Sequence, residues 1–155
     1  MEFDTVIENK KQYFQNDYYV ALANSQDVKV SFNIWAAIFG AAWCFYRKMY
    51  LVGISYFLIF FVSNSILIYV FSNASATIVA AINIIVFRAT LGLFANRIYI
   101  KKSITEIDEI VKTESQETLK LKLKKAGGVS EVAVILYYVA SVGFNVFLML
   151  AEIKL

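Results

Sequence analysis

Between Tyr50 and Phe71 the sequence reads YLVGISYFLIFFVSNSILIYVF, without one charged side chain. At about 1.5 Å of rise per residue, a helix over this stretch is long enough to cross the ~30 Å hydrocarbon core of a bilayer. A backbone in lipid must satisfy its own polar groups, and a continuous helix does so. Two more stretches share this character. Ile78 to Ile100 is interrupted only by Arg88 and closed by Arg97, and Val132 to Leu150 carries no charge. Composition points the same way, with 59% hydrophobic residues and a mean hydropathy of +0.60, against about 45–50% apolar residues in ordinary soluble domains. The expected fold class is all-α, an integral membrane protein whose residues 1–155 form one membrane domain. Its three transmembrane helices are expected over 50–71, 78–100 and 132–150.

The remaining segments are expected as helices that do not cross. Residues 1–30 are polar and mixed in charge, with Phe3, Ile7, Phe14, Tyr18 and Leu22 spaced as on one helical face, so an amphipathic cytoplasmic helix is expected. Nothing at this end resembles a cleavable leader. Residues 32–46, FNIWAAIFGAAWCFY, are uncharged and aromatic, but a helix over them is only about 22 Å long. This is short for a span, and a half-inserted helix is expected, with a short true span as the alternative. Trp35, Trp43, Tyr46, Arg47 and Lys48 suit an interfacial anchor, aromatic rings at the interface and cations at phosphate head groups. Residues 101–128 form a charged linker in which Ile100, Ile104, Ile107, Val111, Thr118 and Leu121 trace a heptad-like stripe, expected as an amphipathic cytoplasmic helix. Its tail, LKLKLKK, could lie on anionic lipid, although packing on its own domain is the favoured reading. Gly127 and Gly128 break the helix, and Ser130 with Glu131 supplies a cap and first-turn acid for the next.

Lysine and arginine mark the cytoplasmic side of a membrane protein. Residues 1–31, Arg47, Lys48, Arg97 at the close of the second span and the 101–128 linker hold every basic residue except Arg88 and Lys154, and the loop at Ser72–Ala76 holds none. The N-terminus is therefore expected in the cytoplasm and the C-terminus outside.

Each expected span contains one asparagine: Asn64, Asn83 and Asn145. Each lies about 21–22 Å of rise from the cytoplasmic end of its helix, so the three amides share a depth. Arg88 lies about 15 Å in from the same edge. Amides in hydrocarbon need partners, and the favoured reading is an intramembrane polar layer that bonds across helices, at about 0.6 kcal/mol per bond. The competing reading is a hydrated path in which Arg88 meets water or an anion. Gly53, Gly92 and Gly143 fall one per span and are expected at helix-packing contacts; Ala89, Gly92 and Asn96 share a face.

Signs of catalysis are lacking. The chain has no histidine, Cys44 is its only cysteine, and no phosphate loop, nucleophile elbow or zinc motif occurs. No catalytic residue, metal site or cofactor is expected, and the chain is read as not being an enzyme.

The run Asn33 to Tyr50, NIWAAIFGAAWCFYRKMY, resembles the signature of the domain-of-unknown-function 2628 (DUF2628) family of small bacterial membrane proteins. That signature reads approximately NWAAFxFGPxWxxYRKMY; Asn33, Phe39, Gly40, Trp43, Tyr46, Arg47, Lys48, Met49 and Tyr50 fall into register. ANRIY at Ala95–Tyr99, and Gly127, Gly128 and Ser130, are also similar to the family's pattern. The chain departs at Ile34, where the family commonly has tryptophan, and at Ala41, where it commonly has proline, which makes a straighter half-helix the expectation. The resemblance implies the bacterial inner membrane and implies no activity. Membrane composition and absent catalytic chemistry suggest a non-enzymatic protein that acts by association. Its partners would be the lipid bilayer and itself, as a homo-oligomer, or another membrane protein, with no nucleic acid. An accessory or immunity-like role is one form of this. The alternative is an oligomeric ion channel or small-solute transporter that uses Asn64, Asn83, Asn145 and Arg88.

Overall fold

A computed structural model describes residues 2–25 and 31–152, and among them every regular element is a helix. In chain order these are α1 (Glu2–Phe14), α2 (Asp17–Asn24), α3 (Ile34–Phe39), α4 (Ala41–Tyr46), α5 (Tyr50–Val70), α6 (Ala76–Thr113), α7 (Gln116–Ala126) and α8 (Glu131–Glu152). Three helical stretches are long and apolar enough to cross a membrane, one in α5, one in α6 and one ending at Phe147 within α8. The all-α expectation and the three apolar helices are therefore present.

Helix α6 organises the rest. Its first half pairs with α5 through the short turn at Phe71–Ser75, where the Ala74 N–H donates to the Phe71 carbonyl at 2.8 Å. Its second half buries Leu91, Gly92, Ala95, Asn96, Tyr99, Ile100, Ser103 and Ile107. These positions recur every three or four residues and so form one stripe. Helices α1, α2, α3 and α7 all pack on α6, making a head around Tyr13, Phe14, Tyr19, Trp43, Tyr99, Ile100 and Leu123. Burying each such large side chain contributes about 1.5–3 kcal/mol. By contrast, Gly53 is the only buried residue of α5, and α8 packs chiefly on α4.

Several boundaries differ from the expected ones, each for a local reason. The N-terminal segment is two helices. Gln15 takes a left-handed φ of 49°, and the Asn16 side chain accepts from the Tyr18 N–H at 3.0 Å, capping a new helix. The break resets the phase, so Tyr19, Val20 and Ala23 turn inward while Tyr18 stays exposed. Residues 26–30 lie outside the described residues. The 32–46 segment is not one straight helix: Gly40, at φ 58°, joins α3 to α4. No proline is needed for this bend, because glycine adopts positive φ freely. The second apolar helix does not stop at Ile100. It runs on to Thr113, so the first part of the 101–128 linker continues the same rod. The break falls instead at Glu114–Ser115. The heptad stripe holds through Ile107 and then fails, since Val111, Thr118 and Leu121 are exposed and Leu123 is buried. Of LKLKLKK, only Leu123 and, in part, Leu119 point inward. Ser130 does cap α8, its Oγ accepting from the Ala133 N–H at 3.3 Å.

The glycines separate by what surrounds them. A Cβ on Gly53 would meet the Phe45 ring at 2.8 Å, and one on Gly92 would meet Phe32 at 2.7 Å. Both sit where the chain packs closely, Gly53 against Phe45 of α4 and Gly92 against Phe32 and Ala37. A Cβ on Gly143 would meet nothing within 4 Å, so the expected packing contact is absent within the described chain. Gly127 has the tightest surroundings, with the Tyr13 carbonyl oxygen 2.0 Å from a would-be Cβ. Gly127→Ala should cost about 3 kcal/mol, through a clash with backbone that cannot rotate away. Gly143→Ala should leave the single chain as stable or raise it by up to about 1 kcal/mol through helix propensity. Thermal melts of the two variants in the same mild detergent check the contrast.

Candidate functional site

The residues singled out between Asn33 and Tyr50 gather with two distant pieces of chain at one end of the apolar helices. Asn33 is buried just before α3, where its Oδ1 caps the helix by accepting from the Ala36 N–H at 2.9 Å. Its Nδ2 donates to Asn96 Oδ1 on α6 at 2.6 Å, and its backbone N–H donates to the Gly92 carbonyl at 2.7 Å. Asn96 in turn donates to Ser31 Oγ at 2.8 Å. These bonds fix α3 against α6, and the bend at Gly40 then aims α4 at the C-terminal segment. Beyond α4, Lys48 at φ 56° donates from Nζ to the carbonyls of Lys125 at 2.9 Å and Gly127 at 2.5 Å. The Ser130 N–H donates to the Tyr46 carbonyl at 2.9 Å, and the Gly128 N–H to the Tyr13 carbonyl at 2.9 Å.

Arg47 stands at the centre of this convergence. Its guanidinium carbon lies 4.4 Å from the Tyr19 ring centroid, 5.4 Å from Tyr99 and 5.5 Å from Tyr46. Partly desolvated cation–π contacts of this kind contribute up to about 2 kcal/mol. Burial pushes the Tyr19 phenol above its usual range, and Arg47 beside it opposes the shift. Among the described residues no carboxylate pairs with Arg47, and its buried Nε has no hydrogen-bond partner. The buried Tyr99 hydroxyl and Ser103 Oγ are also without one. Two cavities flank the guanidinium: one of about 440 Å³ between α3–α4 and the first turns of α8, and one of about 360 Å³ toward Asn33 and Asn96. Trp43, expected at the lipid interface, is buried in the head, whereas Trp35 is 61% exposed.

Residues 4–104 match a family model described as a protein of unknown function, DUF2628. The chain belongs to the DUF2628 family. No curated protein and no solved structure matches it. The DUF2628 match takes in Asn33, the Trp43–Tyr50 run, Asn96 and Tyr99, and stops before α7. The Gly127, Gly128 and Ser130 pattern lies beyond the matched residues, yet it touches the same place.

The polar layer of this DUF2628 chain is smaller than its sequence suggests. Asn83 is buried and donates to Ser63 Oγ at 3.2 Å and Asn64 Oδ1 at 3.5 Å. That cluster joins α5 to α6. Asn145 does not reach it. Its side chain is exposed and, among the described residues, donates only to the Ser141 carbonyl of its own helix, at 2.7 Å. The reason is the course of α8, which packs on α4 at its start and touches α5 further along through aromatic contacts, Phe57–Phe144 and Phe61–Phe144. Arg88 stands apart from the amides, with its Nε 3.1 Å from the position of a Cβ on Gly40. The bend therefore leaves room for that guanidinium. The sequence offered Asn96 and Tyr99 only as parts of a packing face and of the ANRIY resemblance, without a role, and did not single out Tyr13 or Tyr19. The signal of those two was aromatic content alone, which does not distinguish a core from an interface. Among the described residues, no three of His, Cys, Asp or Glu gather as a metal site requires.

A charged cluster closes the head on its far side. Tyr13 donates to Glu106, and Lys102 Nζ lies 2.5 Å from the same carboxylate. Lys48 is held below the usual lysine range, first by burial and then by Lys102. Burial, followed by the bond to Glu106 and its charge, raises the Tyr13 phenol far above its ordinary value of 10.0. A raised folded-state value means that Tyr13 contributes its stability fully below the unfolded phenol's pKa and loses it as pH climbs above that. Stability should therefore fall above about pH 10. Tyr13→Phe should be less stable at neutral pH but show a shallower alkaline decline, by about one proton's slope. Denaturant melts between neutral and strongly alkaline pH check this.

Proposed function

We propose that this DUF2628 protein is a multi-pass protein of the bacterial inner membrane that acts without catalysis, by associating with another membrane-spanning chain through α8. The head would lie on the cytoplasmic side, because the basic residues cluster there. Asn145 carries the reading. Its amide stands exposed within the uncharged stretch 132–150 of α8, and among the described residues it makes one bond, to the Ser141 carbonyl of its own backbone. In hydrocarbon an amide with unmet donor and acceptor capacity is costly, and a facing helix can relieve it. Gly143 beside it has open space that a close helix could use, and an apolar cleft of about 670 Å³ separates α5 from α8. The partner would be a second copy or another membrane protein. Exposed apolar side chains along α5, α6 and α8, such as Leu51, Ile59, Ile85 and Val139, fit lipid as their solvent.

A second reading, an oligomeric channel or small-solute transporter, draws support from Arg88, which has no acidic partner among the described residues. It is weakened by Ser63, Asn64 and Asn83, which satisfy one another within the chain.

A photoreactive side chain at the exposed position Val142 tests the association. In native membranes it should capture protein, and the adduct mass tells a second copy from a different chain. Asn145→Leu should reduce that capture several-fold without lowering the melting temperature. Adducts to lipid alone, unaltered by Asn145→Leu, would contradict the reading.

A further inference from the structure

We infer that Arg47 and the cavity between α3–α4 and α8 form a binding site for one anionic phospholipid, its phosphate on the guanidinium and an acyl chain along the cavity wall. The inference rests on the membrane reading above, because the occupant comes from the bilayer.

Three independent observations carry it. First, Arg47 is a cation without an anion. Tyr19, Tyr46 and Tyr99 face its guanidinium, and among the described residues no carboxylate pairs with it and its buried Nε has no hydrogen-bond partner. The rings and hydroxyls of Tyr19 and Tyr99 hold the cation in place without neutralising it, and a phosphate suits arginine's forked donors. Second, the cavity of about 440 Å³ opens directly from Arg47 and is walled by Trp35, Phe39, Trp43, Val134 and Tyr138. One end is cationic with phenol groups and the other is apolar, as a head group joined to a chain requires. Among the described residues no carboxylate lines this cavity or its neighbour toward Asn33 and Asn96. Third, the site lies where a head group would be. Arg47 lies three residues before the start of the apolar helix α5, and Val134 and Tyr138 belong to the first turns of α8. The trough thus runs from the charged head along the start of an apolar helix. Stacked Trp35 and Phe39, at 6.1 Å between centroids, form its outer lip.

The chain has two tryptophans, Trp35 and Trp43, and both line this cavity. Their emission therefore reports on its contents. The full chain is reconstituted in phosphatidylcholine vesicles holding a small fraction of phosphatidylglycerol with brominated acyl chains, which quench tryptophan on contact. Quenching should exceed that by the same fraction of brominated phosphatidylcholine, with a preference of about fivefold, the value of one arginine near a phosphate. Arg47→Gln should abolish the preference. So should Val134→Phe, which fills the cavity without touching the cation and guards against misfolding of the first variant. Lys101→Gln, on the exposed face of α6, should leave it intact. Equal loss in Lys101→Gln would show diffuse charge attraction and overturn the site. So would a preference that survives both cavity variants. An emission change on adding inorganic phosphate to vesicles free of phosphatidylglycerol, with no lipid preference, would assign a free anion instead and overturn the lipid. Failure of the chain to float with vesicles would overturn the membrane reading itself, and this inference with it; flotation without preference would overturn the inference alone.

Discussion

The hydrogen bond between Asn33 and Asn96, 2.6 Å long and buried, is the joint on which the head depends. Asn33 uses its whole polar inventory there. It caps α3, bonds α6 through its amide, and gives its backbone N–H to Gly92. Removing either amide would leave the other with unmet bonding capacity in a dry site, at about 1–3 kcal/mol. With α3 fixed, the turn at Gly40 directs α4, and α4 delivers Arg47 between the rings of Tyr19 and Tyr99. The positions that resemble the DUF2628 signature are thus consecutive steps of one construction.

Two styles of packing meet in α6. Its second half is buried on one stripe beneath α1, α2, α3 and α7, in the manner of a water-soluble core. Its first half packs along α5 with few buried residues, through Asn83 with Ser63 and Asn64 and edge-to-face rings such as Phe60–Phe87. Lipid does not force apolar helices together as water does, so bonds and close contacts carry more of such an interface. In the proposed membrane setting the exposure of α8 has the same cause, because an apolar helix gains little by leaving lipid for closer packing on α5.

The apolar helices were legible because length and absence of charge suffice to mark them, as in Tyr50–Val70. The cap at Ser130 and the breaks at Gly127 and Gly128 were legible for local chemical reasons. Helix phase was not. Asn16 restarts the N-terminal helix, so the stripe drawn through Phe14 and Tyr18 is broken between them. Nor did rise alone place Asn145 with Asn64 and Asn83. Equal depth along separate helices says nothing of the direction each side chain faces. The Arg47 cage joins residues from α2, α6 and the end of α4, and no local pattern could assemble it.

Topology tests most directly whether these helices cross a membrane with the head on one side. Single cysteines at Ser75, in the turn between α5 and α6, and at Lys112, near the end of α6, are both exposed, whereas native Cys44 is fully buried. In intact cells a membrane-impermeant maleimide should label the Ser75 cysteine and should reach the Lys112 cysteine only after the membrane is opened. Labelling of both positions from the same side would contradict the arrangement of head and spans.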